Sequence, residues 1–87
     1  MSTTTKERIG TWRDASPVRK WRLKNGLSLS DAAVLLGVSL TAITKWESGV
    51  NMPAESRFEQ LAATMKFGSA STLRNAWGRW IESHPTS

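Results

Sequence analysis

The sequence predicts an all-α fold, a compact bundle of four to five short helices, on three observations. Apolar residues recur at three- and four-residue spacing through most of the chain, and no segment alternates like a strand for any useful length. Glycines follow the periodic stretches at Gly26, Gly37, Gly49 and Gly68. Ser16 and Ser28 stand where N-caps belong. The 87 residues, 39% of them hydrophobic, suffice for one domain with a modest core.

Residues 1–15 are polar apart from Ile9 and Trp12, and are expected to be a basic, flexible arm. The first helix begins at Ser16-Pro17, since proline suits the first helical position, and stops at Gly26. Val18 and Trp21 face inward; Arg19, Lys20 and Lys24 face out. The second helix follows Ser28, where Ser28-Leu29-Ser30-Asp31 has the form of a capping box. Leu29, Ala32, Ala33 and Leu36 make its stripe, and Val34 and Leu35 are apolar too, so it needs cover on more than one side.

The third helix, residues 39–48, has two distinct faces. Ala42, Ile43 and Trp46 form the inner one; Leu40, Thr41, Thr44, Lys45 and Ser48 form the outer one. The fourth follows Pro53, with Phe58, Leu61, Ala62 and Met65 inward, and is closed by Gly68. These four helices, residues 16–68, form the expected domain. A fifth helix spans about 70–82, within a C-terminal segment 69–83, and a polar tail occupies 84–87. Its stripe of Leu73, Ala76, Trp77, Trp80 and Ile81 is read as a two-fold homodimer seam, with packing inside the chain as the alternative. Gly78 in mid-helix is expected where a neighbour approaches closely.

The formal net charge is +5, and all of it lies within residues 1–26, which hold seven cations and two acids. Such an arm suits phosphate contacts, here by Lys6, Arg8 and Arg13. There is no cysteine, so disulfides, thiolate zinc sites and a cysteine nucleophile are excluded. The single histidine, His84, lies in the tail without other candidate ligands, so no metal is expected, nor any cofactor. No paired carboxylates or glycine-rich phosphate loop point to an enzyme. The opening MSTTTKERIG has no apolar stretch, so no signal peptide is expected. No apolar run approaches membrane-spanning length, and a cytoplasmic location is expected.

The informative unit is residues 28–48. Two short helices are joined by Gly37-Val38-Ser39, too short for an antiparallel return, so they should cross steeply. Ala33 is small where the helices approach, and Ile43 and Trp46 plug the gap. The outer face of the second helix of the pair is left free, and it fits a major groove about 12 Å wide.

Residues 18–65 resemble the Cro and phage-repressor type of helix-turn-helix domain, the xenobiotic-response-element family. The residues carrying the resemblance are Val18-x-x-Trp21-Arg22, Gly26-Leu27-Ser28, Ala33, Leu36-Gly37-Val38-Ser39, Ile43-x-x-Trp46-Glu47-x-Gly49, Pro53, Phe58 and Leu61-Ala62. The resemblance implies a lambda-repressor-like bundle that binds double-stranded DNA, often as a dimer. It also implies an ion pair between Arg22 and Glu47.

Three positions depart from the family pattern. Leu29 and Leu40 stand where glutamine, or at the second of them arginine, is frequent, and Val50 where a basic residue is frequent. The expected function is a sequence-specific transcriptional regulator, a repressor of phage or plasmid type. The residues expected at DNA are Ser28, Leu29, Ser39, Leu40, Thr41, Thr44, Lys45, Ser48 and Asn51, with Lys6, Arg8 and Arg13. The alternative is a protein-binding module such as an antitoxin or antirepressor, with its partner at Leu29, Leu40 and Val50.

Overall fold

The computed structural model describes residues 5–85, with side chains from residue 7 onward. Among the described residues six α-helices follow one another: α1 Thr5–Asp14, α2 Pro17–Lys24, α3 Leu29–Leu36, α4 Leu40–Ser48, α5 Phe58–Met65 and α6 Ala70–Glu82. A 3₁₀ turn, Glu55–Arg57, leads into α5. No strand occurs among the described residues.

The helix starts follow local chemistry. Ser16 Oγ accepts the Arg19 amide at 3.1 Å, with Pro17 next to the cap. Ser28 and Asp31 exchange bonds, the Asp31 amide donating to Ser28 Oγ at 3.0 Å and the Ser28 amide to Asp31 Oδ2 at 3.4 Å. Ser39 and Ser69 cap α4 and α6 by accepting the Ala42 and Thr72 amides. One stop differs from expectation. Lys66, at φ 53°, ends α5 two residues before Gly68, because the Phe67 amide donates back to the Ala62 carbonyl and seats Phe67 against the core.

The core gathers one stripe from each helix. Val18, Ala32, Leu36, Ile43 and Leu73 are fully buried. At its centre is Trp77 of α6, whose ring meets Trp46 and Phe58 edge-on, at centroid distances of 5.9 and 5.8 Å.

That packing corrects the expected homodimer seam. Leu73, Trp77 and Trp80 are buried within one chain, and Ala76 and Ile81 are half-buried. The α2–α5 stripes are not a closed set, because the indole of Trp77 packs between Trp46 and Phe58. Gly78 is corrected as well, since a Cβ there would meet nothing within 4 Å.

The expected flexible arm is α1. Trp12 is buried and stacks on Trp80 with ring centroids 4.3 Å apart and planes 10° from parallel. Trp12 Nε1 donates to the Trp80 carbonyl at 2.6 Å, and Trp80 Nε1 to the Trp12 carbonyl at 2.7 Å. His84, edge-on to Trp12 at 4.5 Å, extends the cluster into the C-terminal tail. The expected cover on more than one side of α3 is not supplied by the described residues: Val34 is 80% exposed and Leu35 53%.

Candidate nucleic-acid interface

The chain turns through 107° between α3 and α4. Gly37, at φ 68°, caps α3 in the left-handed region, and Ser39 starts α4 two residues later. The steep crossing turns Ile43 and Trp46 into the core and leaves Leu40, Thr41, Thr44 and Lys45 exposed on one side of α4. The expected reading face is therefore a continuous exposed strip, with Ser48 half-buried at its end and Asn51 exposed just beyond.

Two hydroxyls along this strip already have partners. Thr44 Oγ1 donates to the Leu40 carbonyl at 2.8 Å, and Ser48 Oγ to the Lys45 carbonyl at 3.1 Å. Thr44 in this arrangement therefore presents lone pairs outward. Ser28 and Ser39 each accept an amide proton at a cap, and keep an O–H to donate. Lys45 is in no ion pair among the described residues.

α4 is held from behind by a bidentate ion pair. Arg22 Nε donates to Glu47 Oε2 at 2.7 Å and Nη2 to Oε1 at 3.0 Å, while Nη1 donates to the Leu27 carbonyl at 3.1 Å. The side chains are only 12% and 7% exposed. One guanidinium thus ties together α2, the turn before α3, and the C-terminal turn of α4. The hydrogen bonds that Arg22 donates to Glu47 hold its guanidinium above its ordinary pKa, with burial acting the other way and the Glu47 charge adding to the rise.

The expected site residues do not all come together. Leu29 is half-buried and packs on the core, so neither a DNA contact nor an exposed protein patch can use its full side chain. Leu40 and Val50 are exposed, 50% and 67%. Arg8 and Arg13 are exposed on α1, whereas the Lys6 side chain lies outside the described residues.

The seating of α1 against the end of α4 was not foreseen. Gly49, at φ 77°, ends α4, and a Cβ on it would overlap the Trp12 ring. The N-terminal helix is therefore held against the end of α4. The available signal was Ile9 and Trp12, an i, i+3 apolar pair in an otherwise polar segment.

Among the described residues no three His, Cys, Asp or Glu side chains converge as a metal site would require. No single helix among them is long and apolar enough to cross a membrane. A family model described as helix-turn-helix matches residues 18–70, more than half of the chain. No curated protein and no solved structure matches it.

Proposed function

Because the chain belongs to the Cro and phage-repressor type of helix-turn-helix family, a family of DNA-binding transcription-regulator domains and not generally of enzymes, we propose that it is a sequence-specific repressor that lays α4 in the major groove. The observation that carries this reading is the exposed strip Leu40, Thr41, Thr44 and Lys45, presented by the 107° turn and braced by Arg22 and Glu47.

The chemistry follows from the side chains. Lys45 donates to the O6 and N7 acceptors of guanine. Thr44 accepts from an adenine or cytosine amino group, and Leu40 packs on a thymine methyl. The Ser28 and Ser39 hydroxyls donate to phosphate oxygens at the starts of α3 and α4, where free amides and the helix dipole favour an anion. Arg8 and Arg13 add phosphate contacts from α1. Bound across a promoter, such a protein excludes other proteins from the same groove.

A mobility shift against the DNA upstream of its own gene tests the reading. Lys45→Ala is expected to weaken specific binding by roughly 1–3 kcal/mol and to relax preference at one base pair. Equal weakening on every sequence would reduce Lys45 to a phosphate contact. A protein-binding role at the same face has one observation in its favour, the exposure of Leu40 and Val50. It predicts no shift on any duplex.

A further inference from the structure

A groove of about 1180 Å³ runs beside α2, bounded by the ends of α3 and α5 and by α6. No residue of α4 lines it, so it is separate from the face assigned to DNA. Its apolar lining includes Trp21, Leu23, Leu35 and Phe67, of which Leu23 and Leu35 are each 53% exposed. Its charged lining is Lys20, Lys24, Lys66 and Arg79 against a single carboxylate, Asp14. Asp14 is already paired with Arg19 at 3.2 Å, whereas none of the four cations is in an ion pair among the described residues.

We propose that this groove docks an acidic amphipathic helix of a partner protein. Charge complementarity fixes the sign: four unpaired cations around an apolar lining suit a ligand with carboxylates flanking an apolar stripe. The walls are helices and offer no strand edge. An incoming segment must therefore satisfy its own backbone bonds, and a helix does so while presenting apolar anchors at i, i+3, i+4 and i+7. A phosphate backbone matches the cations but leaves Leu23 and Leu35 facing a charged ligand. A second copy of this basic chain brings like charge to the rim. The proposal goes beyond the DNA reading and does not depend on it, because the peptide titration that tests it contains no DNA.

The probe is a fluorescein-labelled synthetic amphipathic peptide of four helical turns, with leucine along one stripe and glutamate elsewhere. It is titrated with the full chain and followed by fluorescence anisotropy. Saturable binding with a Kd on the order of 10 µM is expected. Leu35→Glu and Lys24→Glu, both at exposed positions and checked for helical content by circular dichroism, should each raise the Kd about tenfold or more. A peptide with lysine in place of every glutamate should not bind. Absence of saturable binding, or equal binding of the lysine peptide, overturns the proposal. So does a sedimentation experiment in which Leu35→Glu converts a wild-type dimer to monomer, because the occupant is then a second copy. Weakened DNA binding by Lys24→Glu with peptide affinity unchanged overturns it in favour of nucleic acid.

Discussion

Trp12 and Trp80 each donate an indole N–H to the other's backbone carbonyl, at 2.6 and 2.7 Å, while their rings lie stacked. The pair closes a loop of sequence 68 residues long. It makes α1 and α6 part of one core and seats α1 against Gly49 at the end of α4. Trp12→Ala removes a buried aromatic and leaves the Trp80 carbonyl without the indole N–H from which it accepts. A destabilisation of roughly 3–5 kcal/mol is expected. Thermal unfolding checks it, at about 4–8 °C of Tm per kcal/mol for a domain of this size. A Tm within about 2–3 °C of wild type, well below that scale, would mean that α1 is an appendage.

Trp80→Ala separates the two readings of α6. Trp80 is 6% exposed within one chain, so the substitution should lower stability by a similar roughly 3–5 kcal/mol. The sedimentation coefficient of the folded fraction should not change. A stable variant that merely dissociates would restore the dimer seam.

Two glycines should respond oppositely to alanine. Gly78 sits in mid-helix with open space around it, so Gly78→Ala should stabilise by about 0.5–1 kcal/mol. Gly49 has φ 77° and the Trp12 ring against it, so Gly49→Ala should destabilise by more than that. Urea midpoints at unchanged slope measure both.

Arg22 and Glu47 should behave as one unit. Removing either strands a largely buried charge, at roughly 3–5 kcal/mol. Replacing both should destabilise by less than the sum of the two single changes. A double-mutant cycle with simple additivity would contradict the clamp.

Arg8 and Arg13 are expected to act through phosphate. Replacing both by alanine should flatten the plot of log affinity against log salt by about 0.9 for each B-DNA phosphate that they neutralise. An unchanged slope would remove α1 from the interface.

Much of the fold was legible from local chemistry. The caps at Ser16 and Ser28, the stop at Gly37 and the inner pair Ile43 and Trp46 follow from residue type and helical period. The Arg22–Glu47 geometry realises what the family resemblance implied. Long-range pairing was not legible, because period reveals that a stripe is buried and not what buries it. Trp77 reads equally as seam or core until Trp46 and Phe58 are seen to surround it. Trp12 is masked by its polar neighbours, and its partner is 68 residues away. The helix period put Leu29 on the apolar stripe of α3, where it packs, and only the family resemblance carried it to the DNA face.

The central claim is that the outer strip of α4 reads a DNA sequence. Selection of bound duplexes from a randomised pool tests it most directly, run in parallel with wild type and with Lys45→Ala at one stated salt concentration. The account predicts that wild type enriches a defined site over non-specific duplex by about 10³ or more, and that Lys45→Ala loses preference at one base pair of that site. A pool that stays random, with both proteins binding every duplex alike, would contradict it.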